Sequence, residues 1–413
     1  MNKKFRNRFL ALVCLLAFVG IGLLYYTNWV VQKPFAVIVF VADNLTASTL
    51  TAARIYGGGA DSRLSIERFP VVGLVSGAAA DSAVPDLAAA STAVATGRRT
   101  NHRTLGWNPE GRELTTLVDV ARDRGRSVGL VADTALTDAG PAAYYARTTD
   151  CFDRHAIAVQ LLESAGFDVI LGGGASDFLP EHKGGGRGDG RDLTMELRQA
   201  GFDIIRTKAE LESTPSWLTP RVVGLFADGN LAFADEIQQA ASQPGLPDMV
   251  RQAIQLLQVN PKGYLLVVDA GLTGRAATQN EGERMLREFL QLDAAVATAL
   301  AYAGQNSLIL VVGRRSIGGL RMNGFPFRQD KGLAVVGTNS RGIPSLTWST
   351  GPGSRFDPTG DEAPQAAEPS AFPAPTAVEV AEDGIIVGVG PGSGDIAPFS
   401  HSTDVFGIVE KQL

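Results

Sequence analysis

The sequence predicts an α/β domain with a central, mostly parallel sheet and helices on both of its faces, preceded by one N-terminal membrane helix. Three observations support this prediction. Short apolar runs rich in β-branched residues alternate with amphipathic helical patterns, as expected where parallel strands are buried on both faces. Apolar residues form 45% of the 413 residues and charged residues only 19%, which indicates a sizeable core. Near the N-terminus, an uncharged run is long enough to cross a bilayer.

The N-terminal segment, residues 1–34, is predicted to be a transmembrane anchor. Lys3, Lys4, Arg6 and Arg8 precede the uncharged run 9–26, which would span roughly 27 Å as a helix. Because a basic flank of this kind stays in the cytoplasm, we expect a single-pass protein of the cell membrane, with the rest of the chain on the extracytoplasmic (periplasmic) side. A cleaved signal peptide is the alternative, although no small-x-small cleavage pattern follows the run.

Residues 35–413 are predicted to form one domain. Seven apolar runs are predicted strands, at residues 35–42, 127–132, 168–171, 222–226, 264–269, 307–312 and 385–389. The clearest helix is predicted over residues 281–302, with an apolar stripe of Met285, Leu286, Phe289, Leu292, Val296 and Leu300. In such a sheet the ligand site lies at the carboxyl ends of the strands. Residues 351–376 are rich in Pro, Ala and Gly without periodicity and are predicted to be a long surface loop.

Charge and cysteine content exclude several classes of function. The net charge of −6 argues against nucleic-acid binding, which needs a basic surface, so no nucleic-acid partner is expected. Two cysteines, Cys14 and Cys151, are too few for a disulfide scaffold or a thiolate zinc cluster. The sequence also has only 4 histidines, which is few for a zinc enzyme.

After the anchor, eight stretches of the sequence together carry a resemblance to a known family. They are VIVFVADNLTASTLTAARIYGGG, AVPDLAAASTAVATGRRTN, TALTDAGPAAYYARTTD, DVILGGGASDFLP, GRDLTMELRQAGFDII, GLFADGNLAF, NPKGYLLVVDAG and the stretch from GVGPG to HSTDVF. Together they resemble the alkaline phosphatase family. The resemblance implies the alkaline-phosphatase-like fold, a three-layer αβα sandwich. It also implies hydrolysis of phosphate monoesters with two zinc ions and one magnesium ion, and a homodimer, as in many family members.

Hydrolysis through a covalent intermediate needs an oxygen nucleophile. The resemblance places this nucleophile directly after Asp86, where the chain has Leu87. Leucine has no lone pair with which to attack phosphorus. Ser82, five residues upstream, and Ser91, one helical turn downstream, are weak substitutes. The sequence therefore supports no confident catalytic residue.

Most of the metal-ligand positions that the resemblance implies carry other residues. Asp43 and Asp269 retain carboxylates. The other ligand positions fall on Gly274, Thr278, Arg314, Arg315 and Glu379. The third cation site has Gly140 beside the retained Asp138. The phosphate-clamping Arg aligns with Cys151, and Arg154 is a candidate replacement. Two carboxylates cannot enclose two zinc ions that each need three or four ligands, and arginines repel cations. We therefore expect no bound cofactor.

These substitutions favour a membrane-anchored pseudophosphatase that binds an anionic ligand or a protein partner in its vestigial cleft. One alternative is an active metal-dependent phosphomonoesterase with an altered site, for example with one metal on Asp43, Asp269 and Glu379. A second alternative is an anion-binding module that uses Arg314 and Arg315. The sequence also leaves open whether one of these arginines replaces a cation by pairing with Asp43 and Asp269 or whether both point to solvent.

Overall fold

The computed structural model describes residues 3–25, 33–164, 166–215, 221–304, 306–323, 344–352 and 367–413. Its helices are α1 (Lys3–Tyr25), α2 (Ala47–Gly58), α3 (Leu87–Thr96), α4 (Leu117–Asp123), α5 (Ala139–Ala142), α6 (Arg154–Ser164), α7 (Leu193–Gln199), α8 (Lys208–Ser213), α9 (Leu246–Leu257), α10 (Leu272–Thr278), α11 (Gly282–Tyr302) and α12 (Asp404–Glu410). Its strands are β1 (Ala36–Asp43), β2 (Val71–Ser76), β3 (Ser127–Ala135), β4 (Val169–Gly173), β5 (Asp203–Ile205), β6 (Val222–Leu225), β7 (Tyr264–Ala270), β8 (Leu308–Ile317), β9 (Leu320–Met322), β10 (Leu346–Gly351), β11 (Ser370–Pro373), β12 (Glu379–Val380), β13 (Gly384–Val389) and β14 (Phe399–His401). All seven predicted strands are present, with ends that differ by a few residues.

The central sheet has the strand order β14-β2-β13-β8-β1-β7-β3-β4-β6-β5, and β12 pairs with β8 outside this path. β1 is parallel to both β7 and β8, and the parallel pairing continues from β7 through β3, β4 and β6. β13 is antiparallel to β8 and β2. Strands β9, β10 and β11 form a separate small sheet. The prediction of a large, mostly parallel sheet is confirmed.

Helices cover both faces of the central sheet, which gives three layers. Every residue of β1 is buried, and its side chains alternate between two cores. Ile38 and Phe40 pack in the core that includes residues of α2, α9 and α11, whereas Val39 and Val41 pack in the core that includes residues of α3, α4, α6 and α12. Burial on both faces explains why β1 appears in the sequence as an uninterrupted apolar run.

The predicted long helix is α11, and its apolar stripe is buried except at one position. Leu300 is 39% exposed, so its assignment to the core was wrong. The buried stripe continues instead through Ala299 and Ala303. These two alanines follow Val296 at the alternating spacing of three and four residues that keeps side chains on one helical face.

The predicted surface loop 351–376 contains a short strand. Ser370–Pro373 forms β11, which pairs in parallel with β10, so the prediction was wrong for these residues. The strand is mostly exposed, which explains why no apolar alternation marked it. Residues 353–366 of the predicted loop lie outside the described part of the chain.

The N-terminal helix α1 is long and apolar enough to cross a membrane. Lys3–Leu23 has a mean hydropathy of 1.7, and none of this window is buried against the rest of the protein. A helix of this kind is either a membrane anchor or a signal sequence. Residue 26, at the end of the predicted run, lies outside the described part.

Candidate functional site

One guanidinium group joins two buried carboxylates at the carboxyl ends of the central strands. Arg314, near the end of β8, donates from Nε to Asp43 Oδ1 at 2.6 Å and from Nη2 to Asp269 Oδ1 at 3.1 Å, and its Nη1 contacts Asp269 Oδ2. Asp43 is the last residue of β1, and Asp269 is the penultimate residue of β7. All three residues are at most 2% exposed. The hypothesis that an arginine pairs with these two carboxylates is confirmed, and the alternative that both arginines point to solvent is wrong.

The pairing of β1 with β8 brings these groups together. The register between the two strands shifts after Ala42, which places Arg315 opposite Asp43. Arg315 donates from Nη2 to Asp43 Oδ2 at 3.1 Å, and its Nη1 contacts Glu379 Oε1. Glu379 reaches this position because β12 pairs antiparallel with β8. Glu379, which the sequence suggested as a weak metal ligand, is therefore the partner of the Arg315 guanidinium.

The two arginines determine the electrostatics of Asp43. Burial alone would raise the pKa of Asp43, but the Arg314 and Arg315 guanidiniums outweigh this effect and lower the pKa to about 2. Burial alone would lower the pKa of Arg314, but Asp269 and Asp43 raise it above its usual value. For Asp269 burial is the larger effect, and the pKa is raised although Arg314 opposes the rise. Asp43 is thus the carboxylate that is held ionised.

A second cluster lies at Asp138, the carboxylate that precedes α5. Arg154 Nη2 contacts Asp138 Oδ1 and Arg275 Nη2 contacts Asp138 Oδ2. The Asp138 side chain is 6% exposed, whereas the two arginine side chains are about 40% exposed, at 39% and 42%. The structure thus brings Arg154, the candidate replacement for the phosphate clamp, into the site.

Cys151, which aligns with the phosphate-clamping Arg, does not line the cleft. Its side chain is buried in the apolar core that includes α3 and α6, and burial raises the pKa of its thiol to about 11. Arg275 was not predicted as a site residue, because its partner Asp138 is 137 residues away along the chain. Its position directly after Gly274, a predicted ligand position, was the available signal.

The first turn of α3 holds no hydroxyl. Leu87 is the first residue of this helix, half-buried, and it lines the cleft. Asp86 is the N-cap, because its Oδ1 accepts from the Ala89 amide at 2.8 Å. Ser91 is 1% exposed, and its Oγ lies 3.2 Å from Arg314 Nη1. Ser82 accepts from the Val84 amide at 3.3 Å and does not line the cleft.

Two predicted ligand positions have glycine because the cluster leaves no room for a side chain. A Cβ on Gly274 would lie 2.2 Å from Asp43 Oδ2. A Cβ on Gly140 would lie 2.6 Å from Asp269 Oδ2 and 2.8 Å from Arg314 Nη1. Thr278, one turn after Gly274, donates its hydroxyl to the Gly274 carbonyl at 2.8 Å. These residues accommodate the arginine–carboxylate cluster and supply no ligand atom to it.

The cleft above the cluster is small and balanced in charge. It measures about 290 Å³. Its lining consists of Asp43, Leu87, Thr134, Asp138, Gly140, Pro141, Asp269, Gly271, Gly274, Arg275, Thr278, Arg314 and Arg315. Each of the four carboxylates contacts at least one guanidinium. The carboxylates are Asp43, Asp269, Asp138 and Glu379, and the guanidiniums belong to Arg314, Arg315, Arg154 and Arg275.

These residues do not fit two zinc ions and a magnesium ion. A cation would have to displace a buried guanidinium from Asp43 or Asp269, and the remaining positive charges would repel it. Among the described residues, no group of three or more His, Cys, Asp or Glu side chains is placed to hold a metal ion. The arrangement can hold carboxylates in fixed positions, but it offers neither an activated nucleophile nor a free set of metal ligands.

Comparisons with known proteins find similarity to alkaline phosphatases. The family model described as alkaline phosphatase matches residues 35–340. The chain is 28% identical over 371 residues to the human tissue-nonspecific alkaline phosphatase, covering 77% of this chain and 70% of that protein. It is 33% identical over 237 residues to alkaline phosphatase 4 of Bacillus subtilis, covering 56% and 49%. The membrane-bound alkaline phosphatase of Bombyx mori is 27% identical over 381 residues, covering 78% and 68%.

Solved structures show the same fold. The alkaline phosphatase of Thermus thermophilus superposes with a TM-score of 0.74 at 23% identity, covering 93% of this chain and 92% of that one. The enzyme from the Antarctic bacterium TAB5 superposes with a TM-score of 0.73 at 20% identity, covering 92% and 98%. The predicted αβα architecture is therefore confirmed by structural similarity as well as by the strand order.

Proposed function

We propose, since this chain belongs to the alkaline phosphatase family, that it is a member that has lost phosphate-ester hydrolysis and acts as a membrane-anchored binding or interaction module. The observation that carries this proposal is the contact of Arg314 with both Asp43 and Asp269. In this arrangement the guanidinium supplies the positive charge that the buried carboxylates need. Arg314 of the chain itself thus supplies the positive charge next to Asp43 and Asp269.

The nucleophile position supports the same proposal. A phosphoenzyme requires an oxygen that can approach phosphorus in line with the leaving group. Leu87 occupies the first turn of α3, and the nearby Ser91 hydroxyl is buried against Arg314. Because a displacement of about 1 Å already lowers a reaction rate strongly, Ser91 is not a substitute one helical turn away.

Arg314 is also unsuited to bind an anionic ligand, which weakens the second alternative. Its donors contact Asp43, Asp269 and Ser91, and its side chain is 1% exposed. Arg154 and Arg275 are more accessible, and they flank the cleft around Asp138. An anionic ligand or the acidic side chain of a protein partner would therefore meet these two arginines first.

Anchoring by α1 completes the proposal. The basic residues that begin α1 favour a cytoplasmic N-terminus, and this orientation supports a domain on the extracytoplasmic side of the cell membrane. One relative, from Bombyx mori, is named as a membrane-bound alkaline phosphatase. A homodimer is expected only from the family resemblance.

Turnover of a generic aryl phosphate at alkaline pH tests the loss of activity. The purified full chain is assayed with and without added zinc and magnesium, next to an Asp43→Asn variant that removes the carboxylate shared by Arg314 and Arg315. We expect the same background rate for both proteins under all conditions. Metal-dependent turnover that disappears in Asp43→Asn would instead identify an active phosphomonoesterase.

A further inference from the structure

A basic depression lies at the opposite end of the sheet from the cleft. It is formed where β3, β4 and β6 begin, and its lining includes Arg122, Arg126 and Arg221. The cleft lies at the carboxyl ends of the parallel strands, so the two sites are separated by the length of the sheet. The depression is open to solvent, so a phosphate group with its substituents can approach these arginines.

The three arginines of this depression use few of their donors within the protein. Arg122 donates to the Ser164 carbonyl and Arg221 to the Ala200 carbonyl, both at 3.0 Å. A guanidinium has five N–H donors, so both side chains retain donors for a ligand. Arg221 is also held in place by stacking over the Phe202 ring, at 4.3 Å from the ring centroid.

Arg126 is the most buried of the three. It donates from Nε to the Leu413 main-chain oxygen at 2.7 Å and from Nη2 to the Gln412 oxygen at 3.3 Å. Its Nη1 has no hydrogen-bond partner among the described residues and lies buried next to Gly263, outside the lining of the depression. Arg126 therefore contributes positive charge to the depression, while Arg122 and Arg221 supply the exposed donors.

The charge of the depression is predominantly positive. Asp168 is the carboxylate in its lining, and this residue accepts from the Val128 amide at 2.8 Å. Burial raises the pKa of Asp168, although Arg221 and Arg122 oppose the rise. Burial and the nearby Arg124 lower the pKa of Arg126. Positive groups are therefore crowded at this end of the sheet and are only partly compensated.

The depression lies beside the segment that connects the domain to α1. The Arg126 guanidinium lies 5.5 Å from the ring centroid of Phe35, the residue before β1. Residues 26–35 separate the end of α1 at Tyr25 from the start of β1 at Ala36. Even if fully extended, this segment spans at most roughly 35 Å. A tether of this length limits how far the depression can lie from the lipid headgroups.

From this arrangement we propose that Arg122 and Arg221, beside the positive charge of Arg126, bind the phosphate group of an anionic phospholipid in the membrane that holds α1. Guanidinium groups bind phosphate oxygens through paired N–H donors, and an anionic membrane surface attracts them over a longer range. The proposal rests on the anchoring proposed above. Its consequence is a domain held with the cleft facing away from the membrane.

Titration calorimetry of the detergent-solubilised full chain with short-chain lipids tests the site itself. Dioctanoyl phosphatidylglycerol is the anionic probe and dioctanoyl phosphatidylcholine the zwitterionic one. We expect saturable binding of phosphatidylglycerol that is about tenfold weaker or more in an Arg122→Gln/Arg221→Gln variant. This variant leaves Arg126 and its bonds to residues 412 and 413 intact, so it should fold. Arg98→Gln/Arg99→Gln, at two exposed positions after α3, is the matched control for lost charge.

Three results would overturn the proposal. The first is equal phosphatidylglycerol affinity in the wild type and in the Arg122/Arg221 variant. The second is an equal loss of affinity in the Arg98/Arg99 control, which would indicate unspecific attraction to the overall charge. The third is binding of inorganic phosphate without binding of the lipid. Since the titration does not require α1 to span a membrane, a failure of the anchoring proposal would be seen separately, by fractionation of cells that express the full chain.

Discussion

At the scale of single residues, Arg314 has the largest effect on the site. Its guanidinium separates Asp43 from Asp269 and is itself 2% exposed. Removing one partner of a buried ion pair leaves the other charge without compensation, which costs about 3–5 kcal/mol. We expect Arg314→Ala to lower the free energy of unfolding by this amount in chemical denaturation.

The matched control for this substitution is Arg321→Ala. Arg321 pairs with Glu382, but its side chain is 55% exposed, and exposed ion pairs contribute less than about 1 kcal/mol. An unchanged melting temperature in Arg314→Ala, or equal losses in the two variants, would contradict the role assigned to Arg314.

The Arg314→Ala variant should also respond to cations. Without the Arg314 guanidinium, Asp269 loses its charge partner, Asp43 keeps only Arg315, and the Ser91 hydroxyl stays nearby. Oxygen ligands of this kind suit a hard cation such as Mg²⁺. We expect added magnesium to raise the melting temperature of Arg314→Ala and to leave that of the wild type unchanged. If magnesium stabilises both proteins equally, the guanidinium does not occupy the place of a cation.

The lowered pKa of Asp43 predicts a loss of stability in acid. A carboxyl group with a pKa of about 2 in the folded protein and 3.8 as its usual value stabilises the fold above pH 3.8. This contribution, about 2 kcal/mol, is lost as the pH falls from about 4 to about 2. In denaturant unfolding, the wild type should lose more stability over this range than Asp43→Asn. Parallel pH profiles of the two proteins would contradict the shift.

Part of the residue chemistry could be predicted from the sequence. The pairing of an arginine with Asp43 and Asp269 followed from the need of buried carboxylates for a partner. The contacts of Arg154 and Arg275 with Asp138 could not be predicted, because they depend on how α6 and α10 approach α5 in space. The burial of Cys151 could not be predicted either, since a single cysteine shows no hydrophobic periodicity.

At the scale of structural elements, α10 can approach β1 closely only because Gly274 has no side chain. A Cβ there would overlap with Asp43 Oδ2, so the helix or the carboxylate would have to move. We expect Gly274→Ala to destabilise the protein by about 1–3 kcal/mol, as is typical of overpacking in a core. Thermal unfolding measured by circular dichroism provides the test.

Gly407→Ala is the control for this substitution. Gly407 lies within α12, and a Cβ there would have no neighbour within 4 Å. Because alanine favours helix by about 1 kcal/mol over glycine, this variant should be as stable as the wild type or more stable. A Gly274→Ala protein that melts at the wild-type temperature would show that the cluster is looser than described.

The strands differ in how well the sequence reveals them. β1, β7 and β8 are buried on both faces and were evident as apolar runs. β2 was missed because Val72 and Leu74 are 60% and 46% exposed, near an edge of the sheet. β12 has two residues and β14 three, which is too short for any periodicity. Edge and short strands are defined by their neighbours rather than by their own sequence.

At the scale of the whole molecule, the chain has the family fold, and a cluster of ion pairs lies at the carboxyl ends of its central strands. Packing of the sheet and helices depends on apolar runs and turns, and these carried the family resemblance across residues 35–340. The cluster depends on a few side chains from distant parts of the chain. This difference explains why the fold and the location of the site could be predicted, whereas the complete set of arginine contacts required the structure.

The zinc and magnesium content of the purified full chain tests the central claim most directly. If guanidinium groups hold Asp43, Asp269, Asp138 and Glu379, elemental analysis after dialysis against both metals should find neither in stoichiometric amount. Asp43→Asn should give the same values as the wild type. Stoichiometric zinc in the wild type that is lost in Asp43→Asn would contradict the account.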